Sequence, residues 1–154
     1  MISLAKALKV KNRLSGRMNK VTSDIQTYNS VLVEQAEQVN VEKLISLREE
    51  LMNALIELKS NLVKANIPIQ SLLIRLGELK AKVQFLQGIS VQDGSVRHGY
   101  QNTEVVYKAY LKKNNVDQQV QALEKEIDSI QDELDSFNAL TKIEINPRIL
   151  ELAS

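Results

Sequence analysis

The residues with the clearest chemical potential lie together near the middle of the chain. Arg97-His98-Gly99-Tyr100 is followed closely by Glu104. A histidine titrates near neutral pH, and a carboxylate folded against it could move a proton. His98, Tyr100 and Glu104 are therefore the candidate acid/base set, and an enzyme built on the 97–104 loop is one reading. The competing reading is an ordinary polar surface loop, because spacing alone fixes no geometry. Other chemistry is harder to assemble. The chain has 154 residues, no cysteine and one histidine. Thiol nucleophiles, disulfides, cysteine metal sites and multi-histidine metal centres are thereby excluded. Asp93-Gly94 signals a turn, not a phosphate loop, since no Gly-rich run leads into Lys-Ser or Lys-Thr. The serines lack the context of a nucleophile elbow. Glu49-Glu50 and Asp132-Glu133 read as solvated helix faces. No cofactor and no metal are expected.

The elements that would position these residues are helices. Aromatic residues make up 4% of the chain, with five glycines and two prolines. A chain rich in Leu, Ile, Val, Ala, Glu, Lys and Gln with so few breakers is helical by propensity. The strongest pattern is Val116, Val120, Leu123, Ile127, Ile130, Leu134 and Phe137. Its alternating steps of four and three are the a/d seam of a helix packed lengthwise on another.

Earlier in the chain, Ser3 is placed to cap a first helix over about 3–33. Its stripe is Leu4, Ala7, Leu14, Met18, Val21, Ile25 and Tyr28, with Leu8 beside it and Lys11 intruding. Asn40 can cap a second helix over about 41–65. That helix carries two stripes: Leu44, Leu47, Leu51, Leu55, Leu58 and Leu62, then Ile45, Met52, Ile56 and Val63. Two apolar stripes predict a central helix with more than one neighbour. Pro68 ends it, and a third helix over about 69–87 follows as an antiparallel neighbour.

Residues 88–102 read as irregular. Val105, Val106, Tyr107 and Tyr110 favour a strand in 103–111, and Lys142-Ile143-Glu144-Ile145 favours another in 142–146. These two runs flank the heptad helix of 116–140, and pairing between them, within or between chains, is expected. Pro147 can start a last helical turn. The fold class is therefore mainly α. It is an antiparallel helical bundle, or coiled-coil hairpins, of about four long helices with a small β element, in a single domain over 1–154.

The net charge of +1 creates no global field for nucleic acid or membrane. Charge is nevertheless segregated. Residues 1–23 carry no acid, and Lys6, Lys9, Arg13, Arg17 and Lys20 share one helical face. Residues 117–135 carry Asp117, Glu124, Glu126, Asp128, Asp132, Glu133 and Asp135 against Lys125 alone. The basic face could bind an anionic lipid surface or nucleic acid. The favoured reading is that it flanks an acidic helix of the same assembly. A transit peptide is the least favoured. No apolar run approaches the roughly 18 residues of a membrane span, and the basic start lacks a secretory apolar core. A cytoplasmic protein is expected.

Three stretches carry a family resemblance. Leu4-Ala5-Lys6-Ala7-Leu8 is similar to a leading L-A-E-A-L, with lysine for the acid. Tyr100 to Tyr107 follows a pattern of aromatic, small polar, acidic and aromatic residues. Lys125-Glu126 with Asn138 and Thr141 resembles a closing helix that ends N-W-x-T, with Ala139 in place of the tryptophan. A usual N-x-T-N after the second helix is reduced to Asn66, with Val63 and Ala65 at the other places. These features resemble the septicolysin-like family of small helical bacterial proteins. The resemblance implies a mostly helical, oligomeric protein and brings no catalytic residue. The cytolysin label finds no spanning helix or long strand pair here. The expectation is a non-enzymatic interaction or scaffold protein that self-associates through its heptad seams. A homo-oligomer is the expected assembly, with a protein partner possible and nucleic acid or a membrane surface less favoured.

Overall fold

A computed structural model describes residues 1–35, 39–99 and 103–154. The fold is mainly α with a small β component. In order, the elements are β1 (Ile2–Ser3), α1 (Leu4–Tyr28), α2 (Val41–Asn66), α3 (Gln70–Gln87), β2 (Gly94–His98), β3 (Thr103–Tyr107), α4 (Lys113–Leu140), β4 (Lys142–Ile143) and α5 (Pro147–Leu152). They group into two compact units. Unit 1 is Met1–Pro68 with Asp135–Ser154, and unit 2 is Ile69–Leu134.

In unit 1, Ser3 and Asn40 cap α1 and α2 as their side chains predict. The Lys6 amide donates to Ser3 Oγ at 3.2 Å, and the Lys43 amide donates to Asn40 Oδ1 at 2.9 Å. The two helices run antiparallel. The start of α1 lies beside β4, which also meets the end of α2, while Arg48 Nε donates to Thr22 Oγ1 at 3.0 Å near the other end. Leu4, Ala7, Val10, Leu14 and Val21 pack with Leu51, Ala54, Leu55, Leu58 and Leu62. Val10, not Lys11, fills the place between Ala7 and Leu14.

The strand pairing departs from the expected one. The run at 142–146 is a strand only over Lys142–Ile143, and it pairs antiparallel with β1, Ile2 opposite Ile143. The Leu4 amide extends the bond pattern to the Thr141 carbonyl at 2.9 Å. Chain ends meet here because Ile143 is apolar enough to join the α1–α2 core. The run at 103–111 is a strand only over Thr103–Tyr107, and its partner is β2, from the stretch expected to be irregular.

Two helix bounds also differ. The first helix stops at Tyr28, not near residue 33, and the Asn29 amide closes it on the Ile25 carbonyl at 3.0 Å. Beyond it Leu32 and Val33 are exposed, so nothing rewards the next turn. The heptad helix starts at Lys113, not 116, with a polar first turn that carries no periodic signal. In unit 2, α3 and α4 are linked by Arg75, whose guanidinium donates to Glu126 Oε1 at 2.7 Å through Nε.

Candidate functional site

The β2–β3 hairpin settles how the acid/base candidates are arranged. Gly94 faces Tyr107, Val96 faces Val105, Arg97 faces Glu104 and His98 faces Thr103. Residues directly opposite share a face, and neighbours along a strand alternate. His98 and Glu104 therefore point to opposite faces of the hairpin. Their proton transfer is not assembled in this arrangement. Tyr100 lies outside the described residues.

The structure instead joins His98 to Tyr107, a residue the sequence assigns to a strand and to no candidate site. Tyr107 Oη lies 3.2 Å from His98 Nε2, with the rings edge-on at 6.0 Å and 72°. Strand parity about the Gly99 turn was the available signal, once β2 is recognised as a strand. Gly99 itself has φ +74°, a conformation glycine adopts without penalty. The face shared by Gly94, Val96, His98, Thr103, Val105 and Tyr107 carries no acid. Both rings are exposed to water.

Asp93 has a role beyond the turn its dipeptide signals. Its Oδ1 accepts the Ala109 amide at 3.0 Å, and its other carboxylate oxygen accepts from Lys112 Nζ. The base of the hairpin is thus fastened to the approach to α4. The Lys112 ammonium first, and the Ala109 amide second, hold the Asp93 carboxyl below its ordinary value of 3.8. A depressed carboxyl contributes stability above its unfolded pKa and loses it as pH falls through the folded one. The fastening is thus complete above about pH 4 and opens progressively below it. In a carboxyl NMR titration Asp93 should have its midpoint below 3.8, and Lys112→Ala should move that midpoint up. An unmoved midpoint would remove Lys112 as the cause.

The heptad residues lie on one face of α4. Val116, Ile130 and Leu134 are buried, while Val120, Leu123, Ile127 and Phe137 are half-buried. On α1, Lys6, Lys9, Arg13 and Lys20 are exposed and form no ion pair among the described residues. Arg17 is withdrawn from that face, since its Nη1 donates to the Leu152 carbonyl at 2.7 Å. It therefore closes the C-terminal end of α5. A further ion pair anchors α5 from the other side, where Arg148 Nη2 meets Glu50 Oε2 at 2.8 Å. Glu50 first, and Glu151 after it, raise the Arg148 pKa.

Among the described residues, no group of three or more His, Asp or Glu is placed to hold a metal ion, and no helix is long and apolar enough to cross a membrane. No protein-family model, curated protein or solved structure matches the chain.

Proposed function

We propose that this protein is a non-enzymatic helical interaction or scaffold protein that self-associates. The observation that carries the reading is the α4 seam. Its 4-3 repeat runs unbroken from Val116 to Phe137, yet Val120, Leu123 and Ile127 are only partly buried in the single chain. Apolar area left at a regular heptad face stabilises association when a second helix covers it. The separation of His98 from Glu104 favours this reading over proton-transfer catalysis. Kinship with the septicolysin-like proteins belongs to the same proposal and adds no reaction to it.

A second reading is favoured by one observation, the four exposed cations of α1 that form no ion pair among the described residues. They suit an anionic partner, either lipid headgroups or nucleic-acid phosphate, held by screened attraction. Solution mass by light scattering, at low and high salt, separates the two. The scaffold reading expects an oligomer at both, with Ile127→Asp lowering the mass while helicity is retained. A wild-type monomer at both salt concentrations would end the scaffold reading and leave the basic face as the remaining surface.

A further inference from the structure

The two apolar stripes of α2 predict more than one neighbour, and α2 meets α1, α5 and β4, but within unit 1 these cover only one stripe. The face built on Leu51, Ala54, Leu55, Leu58 and Leu62 packs on α1 and α5. On the far side, Ile45 is 45% exposed, Met52 40%, Ile56 57% and Val63 68%. Two charged residues, Glu49 and Lys59, complete that side, and both are exposed. Neither forms an ion pair among the described residues. In order the outer face reads Ile45, Glu49, Met52, Ile56, Lys59, Val63, again in steps of four and three.

The order is symmetric about Ala54. Ile45 and Val63 lie nine residues from it, Glu49 and Lys59 five, Met52 and Ile56 two. In an antiparallel helix pair each a position meets a d position of the partner at the same height. A two-fold axis level with Ala54 therefore sets Ile45 against the partner's Val63 and Met52 against the partner's Ile56. It also sets Glu49 against the partner's Lys59, twice over by symmetry. Apolar meets apolar and acid meets base in every layer. A parallel in-register pair instead stacks Glu49 on the partner's Glu49. A slip of one heptad sets Glu49 against Met52, or Lys59 against Ile56. Charges within a seam contribute little net stability but select register and orientation.

We propose that the outer face of α2 docks on the same face of a second copy of this chain, antiparallel and centred on Ala54. The surface is isologous, so it closes as a dimer contact and does not propagate. It is independent of the α4 seam, and either can operate without the other.

Charge exchange tests it. The wild-type mass should be a multiple of 17.4 kDa. Glu49→Lys sets lysine against lysine and Lys59→Glu sets acid against acid, so each single variant should lower the mass about twofold. The double variant Glu49→Lys/Lys59→Glu restores every pair and should restore the mass. Both positions are exposed on the helix, and circular dichroism checks that each variant still folds. A wild-type monomer, an unchanged mass in the single variants, or no recovery in the double overturns the proposal. Ile127→Asp separates this contact from the other: mass lost with Glu49→Lys and kept with Ile127→Asp assigns the oligomer to α2, and the reverse overturns the α2 contact.

Cysteine chemistry gives an independent reading, because the chain has no cysteine of its own. Chains carrying Ile45→Cys, refolded with chains carrying Val63→Cys, should oxidise to the mixed disulfide. Eighteen residues of helix separate the two positions by about 27 Å within one chain, so a bond between them must join two chains. Ile45→Cys alone cross-linking as efficiently as the mixture means a parallel pair and overturns the register.

Discussion

Leu58→Ala lowers the unfolding free energy of unit 1 by about 2–5 kcal/mol. Leu58 is 0% exposed and sits in the middle of the α1–α2 interface. The substitution removes transfer free energy and leaves a void in the core that Leu58 shares with Leu14, Leu51 and Leu55. Those neighbours belong to two capped helices, which limits how far the site can collapse. Urea unfolding followed by circular dichroism reads the change as a lower midpoint. The companion substitution Ile56→Ala, on the exposed side of the same helix, should change the free chain far less. Equal losses at the two positions would contradict the assignment of inner and outer faces.

Ile149→Asp is the second large effect, about 3–5 kcal/mol, the scale for a buried charge left without a partner. Ile149 is 2% exposed and joins the unit 1 core from a helix of six residues. So short a helix has little stability of its own. It stands on its apolar contacts, the Asn146 cap, the Arg148–Glu50 pair and the bond from Arg17 to the Leu152 carbonyl. A carboxylate placed in that contact is expelled, and α5 leaves with it. Amide exchange in Arg148–Leu152 should then approach that of an open chain, with Arg17 released to solvent. Persistent protection of those amides would show that the polar anchors hold α5 without Ile149.

What could be read from the sequence follows from where each signal resides. The bounds of α2 were legible because Asn40 and Pro68 are local signals that act whatever packs nearby. The Leu stripe of α2 and the seam of α4 were legible because periodicity is a property of one helix. The choice of strand partner was not legible. Lys142-Ile143 meets Ile2-Ser3 across nearly the whole chain, and only the core into which Ile143 fits selects that pairing. The strand Gly94–His98 was hidden because it holds a single strongly apolar residue, Val96, and its partner supplies the rest. The same limit applied to the acid/base set. His98 and Glu104 are six residues apart, but which face each takes depends on hairpin register, and a shift of one residue reverses it. The diversion of Arg17 to α5 joins positions 135 residues apart and leaves no trace in local charge pattern.

The meeting of β1 with β4 also sets an order of events during synthesis. Unit 1 is assembled from both ends of the chain, and its apolar face on α1 and α2 is finished by Ile143, Ile149 and Leu152. A ribosome makes α1 and α2 first, then the 66 residues of unit 2, and only then the closing pieces. At about 5–20 residues per second, the nascent helical hairpin waits roughly 4–17 s for its last wall at Leu152. Through that interval the α1–α2 core lacks Ile143, Ile149 and Leu152, while unit 2 has every residue it needs to fold as soon as it emerges. The unit begun before unit 2 is therefore completed after it, and the waiting hairpin exposes apolar surface of the kind that makes folding intermediates prone to aggregate.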